Sequence, residues 1–217
     1  MDDQIQMLIA HHLAYNFLSK AFYELPNQEW IDTLAADDLF DAFPLENSQA
    51  EAETGLTLLR GFCESWSADN FEALQHDYRR LFIGPEHLLA APWESVYRSP
   101  DHLLFDAQTL QVRHEYQRFG MPIPHLYNEP EDHLGLEFRF IAHLCDLGLG
   151  AIDRDQPQLL DAAIAEIHHF LTQHLLQWAP ECLNLVLENA RTDYYQGCAH
   201  LALGCLAYTN EVMLVTA

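Results

Sequence analysis

The residues with the densest chemistry lie in one run, Asn128-Glu129-Pro130-Glu131-Asp132-His133-Leu134-Gly135-Leu136-Glu137-Phe138. Pro130 suits the first position of a helix, because its missing N–H would be an orphan there and its φ is already helical. Glu129, Glu131 and Asp132 then stand at the positive end of the helix dipole, where anionic groups are favoured. His133 and Glu137 are four apart and share a face. Leu134, Phe138, Ile141 and Cys145 form an apolar stripe beside that face and read as the buried seam. The turn is therefore expected to offer Asp132 and His133 toward a surface, where its carboxylates would attract a cationic partner. Ordinary capping produces the same residue types, so this run alone does not separate a binding site from a helix end.

The elements that must position these residues read as helices throughout. Ile5, Leu8, Ile9, Leu13, Phe17 and Phe22 predict a helix over 4–24, ending before Pro26. A second follows Asn27, through Trp30, Ile31 and Leu34. Leu56, Leu59, Phe62, Cys63 and Trp66 predict a third over 50–66, and Ser67-Ala68-Asp69 supplies a break and an N-cap. Phe71, Leu74, Tyr78, Leu81 and Phe82 define the next, which stops at Gly84-Pro85. Residues 84–107 show no sustained period. Further helices are expected over 108–119, from Pro130 to about Leu147 with Gly148 and Gly150 ending it, and over 157–178, 180–191 and 193–214. No period-two strand is found. The expected fold is all-α, about nine or ten helices in a single domain spanning 1–217, with a Pro-containing connector at 120–130 as hinge. Such a hinge invites exchange of helices between two copies.

Composition narrows the function. The chain has 217 residues, enough to bury roughly 70% of its unfolded surface. Ten Lys+Arg against 33 Asp+Glu leave a net charge of −23, which repels phosphate backbones and anionic membrane surfaces and makes nucleic acid a poor candidate partner. The five cysteines, Cys63, Cys145, Cys182, Cys198 and Cys205, form no CxxC and lie in apolar helical contexts. They read as buried free thiols in a reducing compartment. The N-terminus lacks the pattern of an export signal, and the apolar runs are shorter than the ~20 residues of a membrane span. The expected location is the cytoplasm.

A second stretch adds to the first. Tyr78-Arg79-Arg80-Leu81-Phe82-Ile83-Gly84-Pro85 leads to Ala91-Pro92-Trp93-Glu94-Ser95-Val96-Tyr97, and Trp93 and Tyr97 bring aromatic area into a segment too polar for core. Taken with Glu129-Pro130-Glu131-Asp132-His133, this ordered constellation resembles the TorD/DmsD family of chaperones, most strongly over residues 78–140. The run Leu81-Phe82-Ile83-Gly84-Pro85 with Pro92-Trp93 and Ser95-Val96 is more similar to the DmsD branch. Tyr78 departs from it, standing where that branch has Trp. The resemblance implies a TorD-like all-helical fold and no catalysis. It implies a cytoplasmic protein that binds the twin-arginine signal peptide of a molybdoenzyme catalytic subunit, of the dimethyl sulfoxide or trimethylamine N-oxide reductase type, and holds it until cofactor loading and export. Both monomers and domain-swapped dimers are known in the family.

Such a signal has a basic segment with paired arginines and an apolar segment. Arginine prefers planar carboxylate partners, which Glu129, Glu131 and Asp132 would provide, with Glu94 as a weaker candidate. Tyr78, Phe82, Trp93 and Tyr97 would wall a groove for the apolar segment, and Ser95 belongs to the same matched stretch. His133 would donate to a peptide carbonyl or, as the favoured role, lock Asp132 and Glu137 in place. Two other readings exist. A metal-dependent hydrolase would use His11-His12, His133 with Glu137, or His168-His169 with His174, but no HExxH or third ligand at fixed spacing occurs. An acidic helical adaptor would bind a folded basic protein. Some members of the family are linked to guanine nucleotide binding, but no GxxxxGK[ST] loop is present; no cofactor is assigned, nor any catalytic or metal residue.

Overall fold

In the computed structural model the described residues are 2–37, 39–41, 43–44, 49–84, 88–99, 104–124 and 129–216, with side chains described to residue 213. The helices are α1 (Asp2–Tyr23), α2 (Gln28–Ala36), α3 (Ala50–Ser65), α4 (Phe71–Tyr78), α5 (Glu94–Arg98), α6 (Ala107–Arg118), α7 (Leu134–Asp153), α8 (Pro157–Phe170), α9 (Leu176–Asn189) and α10 (Asp193–Thr216). Two wide π turns, Arg79–Ile83 and Leu171–Leu175, extend α4 and join α8 to α9. Among the described residues the only extended pairing is one isolated antiparallel bridge. The fold is all-α.

The chain forms two compact units. The first comprises Met1–Tyr23, Pro92–Ala179 and Thr209–Ala217. Its core is α7 between α1 and α8. Phe138 meets Tyr15 and Phe22 from α1, with ring centroids 5.7 and 6.0 Å apart. Phe140, on another side of α7, meets Tyr116 at 4.9 Å and Phe170 at 4.7 Å. Burying each such ring stabilises by about 1.5–3 kcal/mol. Gly135 lets α1 and α7 touch backbone to backbone: a Cβ there would stand 2.8 Å from Tyr23 N and 2.9 Å from Ser19 O.

The second unit comprises Glu24–Ala91 and Pro180–Tyr208. Asn27 caps α2 as expected, its Oδ1 accepting the Trp30 N–H at 2.9 Å. Phe62 packs on Tyr194 and Phe82 on Tyr195. Asp77, 1% exposed, accepts the backbone N–H groups of Arg191 and Thr192 and the Thr192 hydroxyl, so it holds the start of α10.

Several expected boundaries move. Ser67 makes no side-chain cap bond; a 3₁₀ turn, Ala68–Asn70, follows it. Gly148 and Gly150 do not end α7, which runs on to Asp153, because Gly148 sits in the seam where a Cβ would meet Leu8 at 3.1 Å. Pro180 lies inside α9 and does not separate two helices. The Leu176 N–H before it reaches back five residues to the Leu171 carbonyl through the π turn. Part of the 84–107 loop is helical, as α5. Residues 125–128 of the expected hinge, with Asn128 of the acidic run, and Pro85 of the expected stop lie outside the described residues.

Candidate functional site

The site belongs to the first unit and begins with the isolated bridge between Trp93 and His133. The Glu94 N–H donates to the Asp132 carbonyl at 2.9 Å, and the Leu134 N–H to the Pro92 carbonyl at 2.8 Å. This pairing holds residues 132–134 extended, so α7 starts at Leu134 and not at Pro130. Glu129, Glu131 and Asp132 therefore precede the helix and do not occupy its first turn, a correction to the sequence reading. The cause is a partner forty residues away, which no local helix signal contains.

Asp132 is the joint of the site. Its Oδ2 accepts the Ser95 N–H at 2.7 Å and its Oδ1 accepts the Thr109 hydroxyl at 2.7 Å. One carboxylate thus caps α5 and ties it to α6. Burial raises this carboxyl above the usual carboxylate range, and the bonds from Ser95 and Thr109 work against that rise. Asp132 is fully buried, as is Ser95. The expectation that Asp132 faces a surface is corrected: its acceptors are spent on the protein's own donors.

His133 is the N-cap of α7. Its Nδ1 accepts the Gly135 N–H at 3.1 Å, which places the ring proton on Nε2. It does not lock Asp132 and Glu137, the role favoured from sequence. Its ring meets Tyr23 edge-on at 5.1 Å and Trp93 edge-on at 5.8 Å. Only 4% exposed, it is pushed down to about 3 by burial and is neutral.

Glu131 is also internal. Arg113 of α6 grips it with two parallel bonds, Nε to Oε1 at 3.0 Å and Nη2 to Oε2 at 2.8 Å. The protein thus supplies its own guanidinium to this carboxylate, and Glu131 is 0% exposed. Glu94, likewise fully buried, pairs with Arg98 and accepts from or shares a proton with His174 Nδ1 at 2.8 Å. Of the four acidic residues in the run only Glu129 is half-buried, with its Oε2 accepting the Tyr23 hydroxyl at 3.0 Å.

The expected aromatic residues divide. Trp93 and Tyr97 are half-buried in the first unit, where Tyr97 lies on Trp178 with centroids 5.4 Å apart. The Trp178 indole donates to Glu137 Oε2 at 3.1 Å. Tyr78 and Phe82 belong to the second unit, 4% and 3% exposed, in ring contact with each other and with Tyr195. They are core there, which corrects the expectation that they wall a groove. Three residues were missed by sequence reasoning: Tyr23, Thr109 and Arg113. Each lies on a regular helix whose pattern gives no hint of a distant carboxylate.

The groupings named for a hydrolase, His11-His12, His133 with Glu137, and His168-His169 with His174, do not form a cluster of three ligating groups among the described residues. His11 Nδ1 bonds the Met7 carbonyl, His12 bonds Ala142 O and Asn16, and His174 is taken by Glu94. The five cysteines are free thiols, four buried and Cys63 half-buried. No described helix is long and apolar enough to cross a membrane.

A family model described as nitrate reductase delta subunit matches residues 45–184. A Salmonella typhi protein named Tat proofreading chaperone DmsD is 28% identical over 202 residues, 91% of this chain and 88% of that protein. A Haemophilus influenzae protein named Probable Tat proofreading chaperone DmsD is 32% identical over 133 residues, 61% of this chain and 58% of that protein. A Vibrio cholerae protein named Chaperone protein TorD is 31% identical over 130 residues, 60% of this chain and 57% of that protein. The chain thus spans under two thirds of the length of the last two relatives. All three relatives carry chaperone names, which favour neither a hydrolase nor an adaptor.

Proposed function

This chain belongs to the nitrate reductase delta subunit family of TorD- and DmsD-type chaperones, and from that premise we propose that it is a cytoplasmic chaperone for a molybdoenzyme. It binds the twin-arginine signal peptide of the catalytic subunit and holds it until cofactor loading and export. The observation that carries the reading is the division of labour at the bridge. Glu131, Asp132, His133 and Ser95 are buried and bonded, whereas Trp93, Tyr97, Tyr23 and Glu129 are half-buried above them. The buried group holds the frame, and the half-buried group meets the peptide.

Glu129 faces the arginines, helped by the acidic field of the whole chain. Exposed ion pairs contribute only about 0.2–1 kcal/mol each, so contact of the apolar segment with Trp93 and Tyr97 supplies most of the affinity. Residues 1–217 act as one chaperone domain, without nucleic-acid or stable membrane partners. It works as a monomer or as a dimer exchanging helices about the 120–130 connector, which light scattering separates.

The test is calorimetry with synthetic signal peptides in Arg-Arg and Lys-Lys versions. The Arg-Arg peptide binds several-fold more tightly. Equal binding of both versions, or none of either, overturns the reading. Binding of a folded basic protein but not of the peptide would support the adaptor instead.

A further inference from the structure

A second group of ligating side chains lies in the first unit outside the bridge. Glu115 of α6, Glu166 and His169 of α8 each place a ligating atom within 4.8 Å of the others. Glu166 and His169 are three apart, so they share a face of α8, and the Glu-x-x-His spacing with a carboxylate from a second helix is a way helical proteins build metal sites. Zinc, cobalt and manganese ions sit about 2.0–2.2 Å from carboxylate oxygen and imidazole nitrogen. Two donors of a tetrahedral shell stand about 3.4 Å apart. The exposed His169 side chain makes the small closing movement.

Two features separate this group from an ordinary ion-pair cluster. Glu166 is 3% exposed, and its Oε1 has no hydrogen-bond partner among the described residues. A buried carboxylate oxygen left unpaired is costly. Its other oxygen, Oε2, is bonded by Arg118 Nη2, and Arg118 Nε lies 3.1 Å from Glu115 Oε2. Arg118 is stacked over the Phe119 ring at 4.7 Å. One guanidinium thus serves two carboxylates. It also holds Glu166 from the side away from Oε1, as outer-shell groups orient ligating carboxylates.

We propose that Glu115, Glu166 and His169 form a site for one divalent first-row transition-metal ion, with Arg118 as the residue that orients the two carboxylates. The bound ion clips the end of α6 to α8. The site is separate from the peptide surface, and its existence does not depend on the chaperone reading.

Cobalt(II) chloride titrated into the full chain, followed by its visible ligand-field absorption, tests the site. One ion per chain saturates the band, and His169→Ala and Glu166→Gln each weaken binding at least tenfold. Circular dichroism of the His169→Ala variant matches the parent, because the side chain is exposed. A parent without a saturable cobalt band at millimolar metal overturns the proposal. So does either variant binding cobalt as tightly as the parent.

Discussion

Arg113 and Glu131 face each other through two parallel hydrogen bonds of 3.0 and 2.8 Å, with the carboxylate fully buried. Removing one member leaves an uncompensated buried charge, which costs about 3 kcal/mol or more. Arg113→Ala therefore lowers the urea midpoint sharply. Replacing both with apolar side chains of similar size, as Arg113→Met with Glu131→Leu, restores most of the loss. A double variant no more stable than the single would show that the pair is not self-contained.

Asp132 binds Ser95 and Thr109 at once, so its loss frees α5 from α6. Hydrogen bonds to a charged group contribute about 1.5–3 kcal/mol each. Asp132→Ala is expected to lower the melting temperature and weaken signal-peptide binding while leaving helix content intact by circular dichroism. An unchanged dissociation constant would remove Asp132 from the support of the binding surface.

Trp93 and Glu129 act on the peptide through different forces. Trp93→Ala costs affinity, about 2 kcal/mol if it is an anchor, with the salt dependence of the parent. Glu129→Gln costs about 0.2–1 kcal/mol at low salt and flattens the salt dependence. Calorimetry at low and high salt checks both, and a Trp93→Ala variant with an altered salt slope would contradict the assignment.

Glu137 is buried in the first unit below Trp178, and its proton equilibrium is set first by that burial and then by Glu94 and Asp132, all of which raise it well above the carboxylate range. The unfolded chain releases this proton near its ordinary value of about 4.3, while the folded chain keeps it. Below that value the group makes no difference to stability. As pH rises above it, stability falls, by up to about 1.4 kcal/mol per unit, until the folded value is reached. Glu137→Gln mimics the protonated form and keeps the acceptor for the Trp178 indole. Its advantage over the parent in urea melts grows from pH 5 to pH 8. A constant difference across that range would mean that Glu137 is charged in the folded protein.

Helix periodicity is legible in this sequence because it is local. The apolar spacing over 4–24 and 50–66 matches α1 and α3 closely, and Asn27 announces α2 through a contact three residues away. The family resemblance likewise located Trp93, Asp132 and His133 in one constellation, and the bridge joins them. What could not be read was the direction in which these side chains face. Pro130 and the acidic run look like a helix start until Pro92 and Glu94 pair with the strand-like residues beside them. Glu131 looks available until Arg113 is known to occupy it. Gly148 looks like a stop until Leu8 is placed against it. Each of these outcomes is decided by a partner far away in the chain.

The uncharged imidazole of His133, wedged between the rings of Tyr23 and Trp93, has a bearing on how a client departs. Its cap on α7 does not change as the surroundings acidify through the range in which histidines ordinarily titrate. Cargo is therefore not shed by titrating this histidine. On the proposed reading, the grip on the apolar segment has to be loosened by something other than this histidine.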